Sequence, residues 1–240
     1  EAFGTLAEIY PGRIDLGLGR APGTDQQTMR ALRRDRIETE ADFPRAVSEL
    51  QQLLGPRLPE QKVLAVPGNG TEVPIWLLGS SLFSARLAAE RGLPYAFASH
   101  FAPAMLLPAI DIYRRNFRPS ARLDQPYVMI GVPVIAAPTD EEAEFLASST
   151  YQRVLGILRG DRRCLPAPVV DFLTGLHPQE RSAIADFLGA AVIGGPDTLC
   201  AGLNALKQAT EANEIIVVSD IFDPALRLRS LEITAGVFAE

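Results

Sequence analysis

The stretch Tyr127-Val-Met-Ile-Gly-Val-Pro-Val-Ile-Ala136, followed after two intervening residues by Thr139-Asp-Glu-Glu142, decides how the chain is read. Its first part is a near-continuous apolar run rich in β-branched side chains, the pattern of a strand buried on both faces. Thr139-x-x-Glu142 is a capping box, so a helix is expected to start directly after the strand and to run to about Arg159. A buried strand feeding a helix is one unit of a parallel α/β architecture.

The same alternation recurs on both sides. Upstream, Ile14, Leu16 and Leu18 alternate with Asp15, Gly17 and Gly19 as a short strand, and Thr24-x-x-Gln27 opens a helix through about Arg34. Asp42 to Leu54 carries an apolar stripe of Phe43, Val47, Leu50 and Leu54. Val73 to Leu78 is a strand, and the helix begun by Ser80 and Ser81 ends at Arg91 with Gly92 at the C′ position. Leu93 to Ala98 is the next strand and Pro103 to Phe117 the next helix. Downstream, residues 160–178 are irregular and a short helix surrounds Ala183 to Leu188. Asp197 to Ala209 is a helix, Glu214 to Ser219 a strand, and Asp223-Pro224 caps a final helix to Phe238. Five strands, each followed by at least one helix, imply parallel strands with right-handed crossovers. Two architectures fit: an open doubly wound sheet, and part of a (β/α)8 barrel, which is favoured. A barrel would place three more units upstream of Glu1. Phe3, Leu6, Ala7 and Tyr10 accordingly read as the stripe of a helix already in progress, with no cap before it. The expectation is a single barrel domain over residues 1–240, incomplete at its N-terminus.

Composition narrows the function classes. The 240 residues are 47% hydrophobic and 22% charged, ordinary values for a globular chain. A formal charge of −6 without basic clusters leaves nucleic acid and anionic membranes without an electrostatic basis as partners. Cys164 and Cys200 are far apart and lack metal-ligand spacing, and no apolar run approaches the ~20 residues of a membrane span. A soluble protein of the cytoplasm is expected. No G-x-G-x-x-G follows a strand and no G-x-S-x-G elbow is present, so neither a dinucleotide fold nor a serine hydrolase has support.

Ligands of α/β proteins collect where strands end and helices begin, and four such junctions stand out. At Gly19-Arg20 an arginine beside small residues can fork onto a phosphate; the plain alternative is a surface arginine before a glycine turn. Gly79, Ser80, Ser81 and Ser84 combine the free N–H groups of a helix start with three hydroxyls, an arrangement that suits an anion but also serves ordinary capping. At Ser99-His100 a histidine ends a strand beside Phe101. It can act as proton donor, hydrogen-bond partner or stacking surface, or be a structural residue held by loop carbonyls. In the fourth, Asp220 can point into a barrel mouth, whereas Asp223 is the cap before Pro224. His177 reads as a loop residue, and two histidines without clustered carboxylates leave no zinc site.

The phrase Tyr10-Pro-Gly-Arg-Ile-Asp-Leu-Gly-Leu-Gly-Arg-Ala-Pro-Gly-Thr-Asp25 resembles the luciferase-like flavin monooxygenases. Pro74-Ile-Trp-Leu-Leu-Gly-Ser-Ser81 and Gly92-Leu-Pro-Tyr-Ala-Phe-Ala-Ser-His-Phe-Ala-Pro103 strengthen the match, as do Ala191-Val-Ile-Gly-Gly-Pro196 and Asp220-Ile-Phe-Asp223. The resemblance covers essentially the whole chain and is nearest to a bacterial subgroup of uncharacterised luciferase-like monooxygenases. It implies a (β/α)8 barrel that binds reduced FMN at its C-terminal strand ends and oxidises a small organic substrate with O2 through a C4a-peroxyflavin. A flavin reductase as partner and a homodimer are implied as well. Arg20 matches the arginine that meets the flavin phosphate, and Ser81 and Ser84 match the hydroxyls of the phosphate-binding helix start. Gly19, Gly79, Ser80 and Ser99 complete the implied cofactor-binding set, with His100 as the catalytic candidate. Gly19 stands where bacterial luciferase has a cysteine and His100 where it has a tryptophan, which counts against light emission and a long-chain aldehyde. The family's first three strands, with an early catalytic histidine, would lie upstream of Glu1. A deazaflavin-dependent oxidoreductase of the same superfamily and a non-catalytic flavin-binding protein are the competing readings.

Overall fold

The computed structural model describes residues 1–20, 28, 31, 42–161 and 163–239. Of the helix expected from Thr24 to Arg34, only Thr28 and Ala31, both helical, are among them; the rest lies outside the described residues. The chain divides into two compact units, Glu1–Ala96 with Asp111–Tyr127, and Phe97–Ile110 with Val128–Glu240.

The first unit holds α1 (Ala2–Ile9), β1 (Leu16–Gly19), α2 (Asp42–Leu54), β2 (Ile75–Gly79), α3 (Leu82–Arg91) and the start of β3 (Tyr95–Phe97). β1 and β2 are parallel, with Leu16 opposite Ile75 and Gly19 opposite Leu78. α2 buries Phe43, Val47 and Leu54 of the stripe its periodicity predicts and leaves Leu50 half-buried. In α1 the expected stripe is not covered: Phe3, Leu6 and Tyr10 are exposed, and of the helix only Gly4 is buried. α3 ends as its sequence demands. Gly92 takes the left-handed conformation (φ 59°), and its N–H meets the carbonyls of Ala88 and Ala89. A Cβ there would also stand 2.5 Å from the Arg118 carbonyl oxygen. The unit is centred on fully buried Tyr95 and Tyr113, their ring centroids 5.3 Å apart. The Tyr113 hydroxyl donates to the Leu93 carbonyl (2.9 Å) and accepts from the Tyr127 N–H (3.1 Å), which satisfies a buried polar group twice over.

The second unit is built on β4 (Val128–Ala136), flanked in parallel by β5 (Val192–Gly194) and β6 (Glu214–Val218). Val128, Ile130, Val132 and Val134 are all fully buried, and each such side chain contributes roughly 1.5–3 kcal/mol. α5 (Asp140–Leu158) follows, with Thr139 Oγ1 accepting from the Glu142 N–H at 3.2 Å, as the capping box predicts. It buries Leu146, Tyr151 and Val154 in one cluster with Ile135 and Ile184. The expected helix from Pro103 begins as a 3-10 turn (Pro103–Met105) before becoming α4 (Leu106–Asn116), which continues into the first unit. The described residues between 160 and 177 form no long element, yet they are tied down: Val169 N–H donates to Ser148 Oγ (2.8 Å) and Gln152 donates to the Ala167 carbonyl (2.9 Å). α6 (Pro178–Phe187) starts earlier than expected, with His177 as its N-cap residue and the Glu180 carboxylate accepting from the His177 N–H (3.3 Å). α7 (Pro196–Thr210) and α8 (Pro224–Ala239) complete the unit, and Asp223 Oδ1 accepts from the N–H groups of Ala225 and Leu226. The structure also corrects the strand count. β5 makes a sixth strand among the described residues, because three residues are too few to show alternation.

Candidate functional site

The parallel register in the first unit sets Gly19 opposite Leu78, so Arg20 leaves β1 level with Gly79. The Arg20 guanidinium carbon stands 4.4 Å from the centroid of the Phe83 ring, in the first turn of α3, as a cation–π contact. Ser81 is the N-cap residue of α3 in extended conformation (φ −139°, ψ 169°), and its side chain makes no cap hydrogen bond. The Ser80 and Ser81 side chains are exposed, whereas Ser84 is buried. Ser84 Oγ donates back to the Ser81 carbonyl (3.3 Å), which the Tyr95 hydroxyl also approaches (3.4 Å). Burial pushes the Tyr95 phenol up to about 12, so it remains a donor near neutral pH. Gly79 is packed against Ser84 so closely that a Cβ would lie 1.7 Å from Ser84 Oγ. The structure thus brings Arg20 to the helix start with Ser80 and Ser81, and turns Ser84 inward against Gly79. An uncapped helix start, two exposed hydroxyls and a guanidinium form a donor set that fits a flavin phosphate.

The second unit contains a cavity of about 560 Å³. Phe101, Pro133, Ile135, Leu188 and Ile193 supply apolar wall, and His100, Thr150, Arg153, Arg163 and Asp220 supply polar groups. His100 is held from behind. Ser99 is fully buried and donates from Oγ to the Gly131 carbonyl (2.5 Å), which fixes the turn leaving β3. The imidazole lies against Gly131, where a Cβ would come within 2.7 Å of Nδ1, and the Phe101 ring packs 4.2 Å away. Nδ1 is buried and has no hydrogen-bond partner among the described residues. Burial lowers the His100 pKa below its ordinary value and Arg153 acts in the same direction; the adjoining Gly131 backbone and Asp220 act against it. The ring is therefore neutral at pH 7. On the opposite element, Arg153 Nη2 pairs with Asp220 Oδ2 at 2.5 Å, and Thr150 Oγ1 donates to the Asp220 carbonyl (3.0 Å). Sequence reasoning reached His100 and Asp220 but not Gly131, Thr150 or Arg153. The i, i+3 spacing of Thr150 and Arg153, which puts two polar residues on one helical face, was the available signal. Among the described residues no group of three His, Cys, Asp or Glu is placed to hold a metal ion, and Cys164 and Cys200 are free and exposed.

Comparison with known proteins gives this geometry its family. The model of the luciferase-like monooxygenase family matches residues 1–210. A luciferase-like monooxygenase of Escherichia coli (strain K12) is 47% identical over 240 residues, covering 100% of this chain and 72% of its own length. The uncharacterized protein YvbT of Bacillus subtilis (strain 168) is 51% identical over 239 residues, 99% of this chain and 71% of its own. The crystal structure of apo-MsnO8 superposes with a TM-score of 0.81 at 33% identity, over 99% of this chain and 72% of that one. The chain belongs to the luciferase-like monooxygenase family. Two remoter structures share the fold alone. One is a type II Baeyer-Villiger monooxygenase from Pseudomonas putida in complex with FMN (20% identity, TM-score 0.63, 96% of this chain and 71% of that one). The other is an F420-dependent secondary alcohol dehydrogenase (14% identity, TM-score 0.65, 98% and 72%). With these relatives the fold is of the luciferase-like barrel type rather than a doubly wound open sheet, and the chain is an oxidoreductase by family. No helix among the described residues is long and apolar enough to cross a membrane.

Proposed function

We propose that the protein is an FMN-dependent monooxygenase that uses reduced flavin and O2 to oxidise a small organic substrate. The observation that carries this reading is the helix start at Ser81, which leaves its own cap unmade beside Arg20. Arg20, Ser80, Ser81 and the first N–H groups of α3 would hold the phosphate, with Gly79 and the inward-turned Ser84 shaping the turn and Gly19 allowing close approach. Reduced FMN, when bound, supplies the electrons with which O2 is activated and one oxygen atom transferred. The cavity of the second unit, mostly apolar, would receive the organic substrate and keep water from it. His100 is its proton-handling residue. With Nδ1 buried against Gly131, Nε2 is the nitrogen left to meet a ligand, and a neutral ring there donates or accepts a proton as tautomer allows. Ser99 acts through this turn, by anchoring it to Gly131. On this reading the protein works in the bacterial cytoplasm as a homodimer, with a separate reductase supplying reduced flavin.

Titration of the protein with FMN, riboflavin and F420 tests the reading. Tighter binding of FMN than of riboflavin by about tenfold or more is expected from charge-assisted hydrogen bonds to the phosphate. Equal affinities would overturn the phosphate assignment. Preference for F420, with hydride transfer and no oxygen consumed, would make the protein a deazaflavin-dependent oxidoreductase. FMN binding without oxygen consumption, when a reductase supplies reduced flavin, would leave only a flavin-binding protein.

A further inference from the structure

The polar groups of the cavity are unbalanced in charge. Arg153 and Arg163 both line it, against one carboxylate, Asp220. Asp161, which pairs with Arg163 at 2.7 Å, is not part of the lining, and that ion pair is largely exposed, so water screens it. Asp220 engages one guanidinium nitrogen of Arg153, while Arg153 Nε is buried without a partner among the described residues. Five N–H donors in a planar fork suit a second carboxylate better than any neutral acceptor. His100, the remaining titratable group of the lining, is neutral and adds no opposing charge. The apolar part of the lining, Phe101, Pro133, Ile135, Leu188 and Ile193, offers nothing to a polar body. We propose that the cavity takes an organic anion, an apolar body carrying one carboxylate, with the carboxylate received at Arg153. This rests on the reading of the cavity as the substrate chamber of a flavin monooxygenase, and it names the substrate class of that chamber. Asp220 then has a defined part. It holds the Arg153 fork in place before the ligand arrives and competes with it for the same donors, so affinity is set by the difference between two carboxylates.

Calorimetric titration with three probes of one chain length, octanoate, 1-octanol and octylamine, tests the proposal. Octanoate should bind at least about tenfold more tightly than 1-octanol, and octylamine the most weakly. Arg153→Met should bring octanoate down to the level of 1-octanol. Asp220→Asn should act in the opposite direction and tighten octanoate by about threefold or more, because it releases the fork and removes the competing charge. A purely structural ion pair would make both substitutions weaken every probe alike, and that pattern overturns the proposal. So does equal binding of octanoate and 1-octanol by the unmodified protein, a result that needs no variant to fold. FMN titrated into the same unmodified samples keeps the two readings apart. FMN binding without octanoate preference overturns the anion proposal alone. Octanoate preference without FMN binding overturns the flavin reading and leaves the charge selectivity of the cavity standing.

Discussion

The turn after β2 and the turn after β3 occupy the same position in a β/α unit, yet they expose opposite kinds of surface. After β2 the chain enters α3 directly, with Ser80 and Ser81 in solvent and the helix start uncapped. After β3 it folds back on itself, with Ser99 fully buried and His100 pressed against Gly131. The first turn can meet a hydrated dianion, since its donors are already wet and lose little on exchanging water for phosphate. At the second, burial favours the neutral form of the imidazole that titrates there. Exposure, more than residue type, separates an anion cradle from a proton-handling site.

The largest expected effect falls on the exposed turn. Ser81→Ala combined with Ser84→Ala should weaken FMN by about tenfold or more, through the one hydrogen bond to a charged group that Ser81 loses, about 1.5–3 kcal/mol, and leave riboflavin nearly unchanged. The two positions should separate when changed singly. Ser81→Ala carries the phosphate-specific loss, whereas Ser84→Ala, whose hydroxyl is bonded to the Ser81 carbonyl, lowers the melting temperature as well. Equal losses for FMN and riboflavin would break the contrast between the turns.

At the buried turn, His100→Ala should leave FMN affinity within about threefold. Turnover should fall, or hydrogen peroxide release per reduced flavin oxidised should rise, by roughly tenfold, the lower end of acid–base effects. An unchanged peroxide yield with a lowered melting point would make His100 structural. Gly131→Ala sharpens the same point without touching the imidazole chemically. Its Cβ would stand 2.7 Å from Nδ1, so the ring must move, and peroxide yield should shift in the His100→Ala direction by several-fold, together with about 1–3 kcal/mol of lost stability from overpacking. Lost stability with an unshifted yield would mean that the ring position does not matter.

The smallest effect is on the pH dependence of stability. The folded His100 pKa lies below 6.5, so in the window between that lowered value and 6.5 the unfolded chain binds more protons than the folded one. Stability therefore falls as pH drops through the window and is unaffected above it. Burial is the dominant cause; the Gly131 backbone and Asp220 oppose it, and Arg153 acts with it. His100→Gln should flatten the slope of the urea midpoint in the window below pH 6.5. An identical slope in the variant would show that His100 does not titrate differently on folding.

Local signals told the elements of this chain reliably where they were chemically explicit. Thr139 caps α5, Asp223 caps α8 and Gly92 closes α3, because each motif is a hydrogen bond or dihedral contained within a few residues. The strand β5 was missed for the converse reason: Val192–Gly194 is three residues long and is a strand only through its pairing with β4. The stripe of α1 was legible as a stripe, but periodicity says which residues share a face and not that the face is covered. For the site, a glycine and two serines before a helix pointed to an anion, and a histidine after a strand pointed to proton chemistry.

Sequence by itself determined the succession of strands and helices, the helix caps and the candidate turns at Arg20, Ser81 and His100, since all of these depend on neighbours along the chain. Only the tertiary structure decided that Ser84 turns inward while Ser81 stays in solvent, that Gly131 lies behind His100, and that Arg153 meets Asp220 across 67 positions. Those are facts of burial and long-range contact. A hydroxyl, an imidazole or a guanidinium takes its protonation and its donor capacity from what surrounds it, and what surrounds it is supplied by residues far away in the chain.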